Sequence, residues 1–391
     1  MQRPYTVVLI GTVTAVAAVV SIAAIRPGVW ATASTMKVED FGAYWTGTLV
    51  NGRGGNAYDP DSLLEPQRLI DPGVVIPGQV WSPPWTFPLL APFTAVDFAT
   101  ARWAWRFVQI GSLFLSVTAV WRVYGGPPEK LIWGWCAALA WYPSLQTVGL
   151  GQNCTLVLLG VAGGLGCLVA GRAGLAGAVF AFSLAKPQNL YLLGLLAVVW
   201  AIDRRQWRPA IGACLAAFLL TVGAIIQNPD VFSHYLDAFA RRPPAGFVPP
   251  TFGMALRLLF GVDRFWLSFL PTAVGLVWGI WFYVRNRDHW DWADRLPIVV
   301  IVSCLTSPYG WIYDQVLFLV PVTQLLAISA CRRPQLFTPI LLTSTALTAV
   351  CFGLHSAGLR EVTFLWHAPV VLVLYLFGRR AVTKPILQIG P

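Results

Sequence analysis

Long apolar runs alternate with short polar segments along nearly the whole chain. A helix needs about 20 mostly apolar residues to cross the hydrocarbon core of a bilayer, and on that criterion the pattern predicts about twelve membrane-spanning helices. Their approximate bounds are 5–25, 101–124, 131–148, 154–170, 174–184, 190–202, 209–226, 265–284, 296–306, 315–330, 337–354 and 364–377. The sequence therefore predicts an all-α polytopic membrane protein.

The first apolar run, 5–25, follows Arg3 and has two interpretations. It is either a cleavable secretory signal or a retained first helix. Because the run of roughly 21 residues exceeds the usual 7–15 residues of a signal core, we favour the retained helix.

Composition supports the membrane assignment. The 391 residues are 57% hydrophobic and only 11% charged, whereas soluble domains have about 25% charged residues. The 19 Trp suit the membrane–water interfaces, where Trp is enriched. The net charge of +10 does not indicate nucleic-acid binding, since the basic residues are scattered between apolar runs rather than gathered on one face. A single membrane domain, 1–391, is the simplest organisation.

The basic residues predict the orientation. With a cytoplasmic N-terminus, the short connections on the cytoplasmic side are rich in Lys and Arg, as the positive-inside rule requires. These residues are Arg3, Arg122, Lys130, Arg172, Arg204, Arg205, Arg208, Arg285, Arg287, Arg295, Arg332, Arg333, Arg379, Arg380 and Lys384. Two long polar segments, 26–100 and 227–264, then lie outside, and both termini lie in the cytoplasm. The first segment includes the aromatic and Pro-rich stretch 81–98, predicted as an interfacial helix. A bacterial inner membrane fits this arrangement.

A pair of acids, Glu39 and Asp40, opens an aromatic motif that extends to Tyr44 in the first external segment. A carboxylate near the outer membrane surface can accept a proton from an acceptor hydroxyl, which makes Asp40 a candidate general base. Glu39 either raises the pKa of Asp40 or faces water. The alternative for both acids is a solvated or helix-capping role.

A second group of candidates combines a cation with an acid. Lys186 and Gln188 interrupt an apolar stretch, and a lysine within a membrane helix usually has a partner or a task. A lipid phosphate is a natural partner; snorkelling to the interface is the alternative. Tyr313 and Asp314 lie beside a later apolar run, where Asp314 is expected either to pair with Lys186 or to order a substrate.

Three further polar residues face the same predicted side. Gln152 and Asn153 join two spans, and their amides can bind sugar hydroxyls or cap a helix. Asp59 precedes Pro60 in a Gly/Asn-rich turn. It is a candidate for substrate binding, and a structural role in the turn is the alternative. The four histidines and seven cysteines show no metal-ligand spacing, so neither a metal nor a cofactor is predicted.

Taken in chain order, these motifs resemble the bacterial membrane glycosyltransferases of family 87. The motifs are Asp40-Phe41 to Tyr44, Gly55-Asn56-Ala57-Tyr58-Asp59-Pro60, Trp81-Ser82-Pro83-Pro84, Leu89-Leu90-Ala91-Pro92, Gly151-Gln152-Asn153, Lys186-Pro187-Gln188 and Ser307-Pro308 with Trp311. The resemblance implies a GT-C fold, a polyprenyl-phosphate-linked donor, most often of mannose, and an inverting transfer on the outer face. The base role in that family maps onto Asp40. One departure is that Tyr313-Asp314 stand where members often carry histidine.

The resemblance implies a lipid or cell-envelope glycan as acceptor, with membrane lipids around the protein; the sequence does not indicate an oligomeric state. Two other classes remain open: a lipid or glycolipid transporter, and a non-catalytic partner in envelope assembly. A transporter built from repeats would have ionisable groups near mid-bilayer and paired broken helices. The chain instead has Lys186 and Asp314 near the predicted outer surface.

Overall fold

The computed structural model describes residues 39–359 and 361–383, and in these ranges every regular element is helical, which confirms the all-α prediction. The predicted first span, 5–25, lies outside the described residues. The α-helices are Asp40–Gly52, Pro60–Arg68, Phe87–Leu90, Phe98–Val123, Leu131–Ala140, Tyr142–Leu150, Cys154–Val169, Ala173–Phe180, Tyr191–Asp203, Trp207–Gln227, Val231–Arg241, Phe252–Phe260, Leu270–Asn286, Trp292–Leu305, Leu319–Arg332, Pro334–Ser356 and His367–Thr383.

Five helical segments of the described part are long and apolar enough to cross a membrane. They are Trp207–Gln227, Phe265–His289, Ile312–Arg332, Pro334–Ser356 and Glu361–Thr383. Shorter apolar helices, such as Cys154–Val169 and Tyr191–Asp203, accompany them. The protein is therefore membrane-embedded, and the count of about twelve spans stays a prediction.

The predicted span 131–148 is broken into two helices, Leu131–Ala140 and Tyr142–Leu150. Trp141 between them has an extended backbone, with ψ 121°. Pro143 explains the break: inside a continuous helix it would remove a backbone hydrogen bond and clash with the preceding turn, whereas it is tolerated in the first turn of a new helix.

The first long polar segment is more ordered than the sequence pattern predicts. It contains the helices Asp40–Gly52 and Pro60–Arg68. The stretch 81–98, predicted as one interfacial helix, instead forms three short helical segments, Pro84–Thr86, Phe87–Leu90 and Ala91–Ala95, before the Phe98–Val123 helix begins. Its closely spaced prolines prevent one continuous helix.

Apolar packing joins this segment to the helix bundle. Phe41, Tyr58 and Leu63 are buried together with Trp105 of the Phe98–Val123 helix and Ala224 of the Trp207–Gln227 helix. The Phe41 ring is stacked on Trp105, with centroids 5.5 Å apart and planes 10° apart. Burying aromatic rings in this way supplies large apolar contact areas. The start of the Asp40–Gly52 helix is thus held against the bundle.

Candidate active site

Asp40 begins its helix and faces a polar group from a distant part of the chain. The Gln152 side-chain amide donates a hydrogen bond of 2.6 Å to Asp40 Oδ2. Burial raises the pKa of Asp40 above its ordinary value, while the Gln152 hydrogen bond and the charge of Lys186 oppose that rise. A carboxylate with a raised pKa is a better proton acceptor than an exposed aspartate.

The orientation of Gln152 is fixed from both sides. The Tyr44 hydroxyl donates to its side-chain carbonyl at 2.7 Å, and the Gln109 amide donates to its backbone carbonyl at the same distance. Burial raises the pKa of Tyr44, so that this hydroxyl stays a protonated donor. Because the Gln152 carbonyl is occupied by Tyr44, its amide nitrogen is the group that faces Asp40.

Gly151 allows this close approach. Its φ is +73°, a left-handed conformation that favours glycine. A Cβ at this position would lie 2.5 Å from Cβ of Phe41. The Trp105 indole also donates to the Gly151 carbonyl at 2.8 Å. The sequence Gly151-Gln152 therefore fits directly against the first turn of the Asp40 helix.

Glu39 has different partners. Its carboxylate lies 3.6 Å from Arg102 and 3.4 Å from Arg106, and the side chain is about one-third exposed. These contacts tie the start of the Asp40–Gly52 helix to the Phe98–Val123 helix. Of the two neighbouring acids, Asp40 is the one bonded to Gln152.

Lys186 and Asp314 form the second half of the cluster. Lys186 Nζ lies 2.8 Å from Asp314 Oδ1, and the two side chains are only 10% and 4% exposed. The predicted pairing is therefore present. The Cys154 thiol donates to the same Oδ1 at 3.1 Å, and the Trp311 backbone N–H donates to Oδ2 at 2.7 Å. Both carboxylate oxygens of Asp314 therefore have partners within the protein.

Lys186 has a second partner in Tyr313. Its ammonium lies over the Tyr313 ring, 4.5 Å from the centroid, which is a cation–π geometry. The charges of Lys186 and Asp314 both act on Asp40. The base candidate and the buried cation therefore belong to one electrostatic unit, although Asp40, Lys186 and Asp314 come from distant parts of the sequence.

The remaining predicted residues take varied positions. Asn153 donates to the Ser82 hydroxyl at 3.2 Å, and its own carbonyl oxygen is shielded without a partner in the described chain. The backbone carbonyl of Gln188 accepts from Ser307 at 3.0 Å. Asp59 caps the Pro60–Arg68 helix and pairs with Arg242 at 3.3 Å. These contacts are the ones that the alternative, structural interpretation of Asp59 expects, and its place among the substrate-binding candidates stays a prediction.

Sequence reasoning missed Glu361, at the start of the last candidate span. The charges of Asp314 and Asp40 both act on its carboxyl group, and its Oε2 is shielded with no hydrogen-bond partner among the described residues. No motif surrounds Glu361; the only available signal was an acid at the edge of an apolar run. Gln109 was missed for a related reason, because it lies within an apparently continuous span.

The cluster places a candidate base and a cation close together. Within residues 39–359 and 361–383, no group of three or more His, Cys, Asp or Glu side chains is arranged to hold a metal ion. A carboxylate with a raised pKa can accept a hydroxyl proton, and a buried ammonium can stabilise negative charge on a phosphate.

No curated protein and no solved structure gives a significant match to the chain. Residues 82–308, more than half of the 391 residues, match the sequence profile described as Glycosyltransferase family 87. The match includes Gln152, Asn153 and Lys186, whereas Asp40 and Asp314 lie outside it. The resemblance drawn from the motifs is thereby confirmed, and the chain belongs to glycosyltransferase family 87.

Proposed function

We propose that this glycosyltransferase moves a sugar, mannose as the first choice, from a polyprenyl-phosphate-linked donor to a lipid or cell-envelope glycan acceptor. The observation that carries the proposal is the single cluster in which Asp40, held by Gln152, lies within electrostatic reach of the buried Lys186. A transfer from a lipid phosphate needs a base for the acceptor and positive charge for the leaving group. The cluster supplies both.

The reaction proceeds as one displacement. The acceptor oxygen attacks the anomeric carbon, while its proton passes to Asp40. The bond between that carbon and the phosphate oxygen breaks, and the electron pair leaves with the polyprenyl phosphate. Inversion follows from attack on the face opposite the leaving group. Because phosphate is already a competent leaving group, no strong general acid is required, and Lys186 stabilises the charge that develops on it.

The other polar residues have supporting roles in this proposal. Tyr44 and Gln152 orient the base. Asn153, Gln188 and Tyr313 bind hydroxyls of the donor sugar or its phosphate. Glu39 and Asp59 maintain the local structure through their arginine partners.

The proposed setting is a GT-C fold in the bacterial inner membrane. Both termini lie in the cytoplasm, and the cluster works on the outer face, where a lipid-linked donor and an envelope acceptor meet. The short basic connections support this orientation. The apolar helical segments that accompany the cluster support a donor with a lipid anchor.

The test is a transfer assay with the purified full chain in lipid nanodiscs. Polyprenyl phosphate mannose carrying radiolabel in the sugar is mixed with an extract of the source organism's membranes, and products are separated and identified by mass spectrometry. We expect label in a new glycoside and release of polyprenyl phosphate. In parallel proteoliposomes, label that crosses the bilayer on an unchanged donor would indicate a transporter. The absence of any new product in the nanodisc assay would reject the proposal.

A further inference from the structure

A long groove, which we call the lateral groove, lies between three of the candidate spans. Pro334–Ser356 and Glu361–Thr383 both pack against Ile312–Arg332, and all three line the groove, which encloses about 270 Å³. Along Pro334–Ser356 it extends from Leu336 to Leu347, a length of about 17 Å at the helical rise per residue. This length is about half the hydrocarbon thickness of a bilayer, which is the depth of one leaflet.

The walls of the lateral groove are apolar in effect. Its four largest polar lining groups are already bonded within the protein, since the Trp141 indole donates to Gln315, Thr343 and Ser344 donate to their own helix, and Tyr375 donates to Gln324. A ligand in the groove therefore meets hydrocarbon and no free hydrogen-bonding group. That surface fits a lipid chain and disfavours a sugar, whose hydroxyls would be left unpaired.

One end of the lateral groove carries positive charge; we call this end the mouth. Leu336 and Ala381 line the groove there, close in sequence to Arg332 and Arg380 respectively. Both arginines are exposed, and neither has a hydrogen-bond or ion-pair partner among residues 39–359 and 361–383. Two cations at the opening of an apolar groove are complementary to a lipid with an anionic headgroup.

The neighbouring charges leave the mouth positive. The Lys130 ammonium lies over the ring of Phe337, 5.6 Å from its centroid, and adds a third cation. The exposed Glu129 precedes Lys130 and offsets one charge. Asp294 is already compensated by its ion pair with Arg379. The two unpartnered arginines are therefore not neutralised by these acids.

The mouth lies far from the Asp40–Lys186 cluster. Asp314, the partner of Lys186, stands near the start of the Ile312–Arg332 segment, whereas Arg332 ends it. The 18 residues between them correspond to about 27 Å of helix, roughly the hydrocarbon thickness of a bilayer. A headgroup at the mouth is therefore on the opposite side of the membrane from a phosphate at Lys186, so the groove is separate from the proposed donor site.

From this geometry we infer that the lateral groove binds one acyl chain of an anionic glycerophospholipid, whose phosphate is held by Arg332 and Arg380. With the predicted orientation, this lipid belongs to the cytoplasmic leaflet. The inference does not rest on the proposed function, because the site has no residue in common with the cluster.

The bound chain also supports the segment that carries Asp314. At its deep end the groove reaches Trp141, whose indole donates to the backbone carbonyl of Gln315 at 3.4 Å. A chain in the groove replaces the dispersion contacts that an empty space would forfeit. Binding of phosphatidylglycerol should therefore raise the thermal midpoint of the protein.

The first test locates the lipid. The full chain is placed in phosphatidylcholine nanodiscs with a trace of phosphatidylglycerol that carries a photoreactive diazirine at the end of one acyl chain, and cross-linked peptides are identified by mass spectrometry. We expect labelling at the deep end, around Trp141, Leu347 and Val371, about 10-fold stronger than with phosphatidylcholine carrying the same diazirine. Equal labelling by the two lipids would indicate an ordinary boundary lipid and overturn the inference. The absence of labelled groove peptides would also overturn it, because another occupant or none would then be present.

The second test removes the charge at the mouth. Arg332→Gln with Arg380→Gln should raise the half-saturating mole fraction of phosphatidylglycerol about 30-fold, the effect of two cations near a lipid headgroup. The rise in thermal midpoint during a titration measures this quantity. Arg208→Gln with Arg285→Gln is the matched control, since both arginines are exposed on helices that do not line the groove. An unchanged titration in the folded Arg332/Arg380 variant would overturn the inference.

The third test fills the groove. Thr343→Phe places a ring among the lining residues and should abolish the labelling by phosphatidylglycerol, with Ala381→Phe as the second variant if Thr343→Phe is poorly folded. Leu342→Phe is the control, because Leu342 is 61% exposed and does not line the groove. Labelling of the wild-type pattern in a folded groove-filling variant would overturn the inference. Competition by equimolar polyprenyl phosphate would assign the groove to the lipid donor and overturn it as well, whereas failure of the sugar-transfer assay would leave it untouched.

Discussion

The side chain of Gln152 donates to Asp40 across 2.6 Å, although the two residues are 112 positions apart. Gln152 is itself held by Tyr44 and Gln109. Such a second layer of contacts fixes a catalytic group within the narrow range that proton transfer requires. The geometry therefore distinguishes Asp40 from Glu39, which pairs with arginines instead.

Asp40→Asn should lower kcat by about 10²-fold or more, because the amide cannot accept the proton of the acceptor hydroxyl. Size and most hydrogen bonding are preserved, so expression and donor binding should change little. Steady-state transfer with the purified protein measures both. Glu39→Gln is the control and should be milder. Near wild-type turnover in Asp40→Asn would show that another group is the base.

The pH profile should report the carboxyl of Asp40. Its pKa is raised above 3.8 by burial, and only the ionised form accepts a proton. Transfer should therefore fall as pH decreases through the raised pKa and rise as pH increases through it. Gln152→Leu removes a hydrogen bond that lowers this pKa, so the acidic limb should move to higher pH. A profile of kcat/KM against pH measures the shift. An acidic limb that stays at the same pH in Gln152→Leu would show that the limb does not report the ionisation of Asp40.

Gly151→Ala should damage the site through the backbone. The positive φ and the approach to Phe41 both oppose a Cβ at this position, and a strained backbone of this kind costs about 1–3 kcal/mol. We expect a lower thermal midpoint and a large loss of transfer. Gly149→Ala is the matched control, because a Cβ there meets nothing within 4 Å. Equal behaviour of the two variants would contradict the proposed contact.

The apolar runs were sufficient to predict most helices, because burial in lipid requires long hydrophobic segments. They did not reveal the break at Trp141. Membrane-spanning helices tolerate proline, so Pro143 alone does not predict whether the span bends or divides into two helices. For Asp314 the sequence left two roles open, and only the observed contact with Lys186, 128 residues away, shows the pairing. Sequence periodicity describes one element at a time, whereas contacts between elements depend on how they pack. Glu361 and Gln109 were missed for that reason.

Topology can be tested independently of chemistry. Reporter fusions after Ile70 and after Pro243 should be periplasmic, and a fusion after Arg205 should be cytoplasmic, as the short basic connections predict. Alkaline phosphatase and green fluorescent protein fusions measure the two sides. A cytoplasmic result at either of the first two positions would overturn the orientation and place the cluster on the opposite face.

Variants of Lys186 and Asp314 can distinguish a loss of stability from a loss of transfer activity. Removing one member of a buried ion pair leaves the other charge uncompensated, at a cost of about 3–5 kcal/mol. Lys186→Gln and Asp314→Asn should therefore each lower the thermal midpoint and reduce transfer.

The double variant, Lys186→Gln with Asp314→Asn, removes both charges and retains hydrogen-bonding groups on both side chains. Its thermal midpoint should return towards the wild-type value, because no buried charge is left unpaired. Its transfer rate should stay low and its donor KM high, because the cation for the departing phosphate is gone. Thermal unfolding in detergent and donor kinetics measure the two quantities separately. Recovery of transfer together with stability would reduce Lys186 to a structural partner of Asp314.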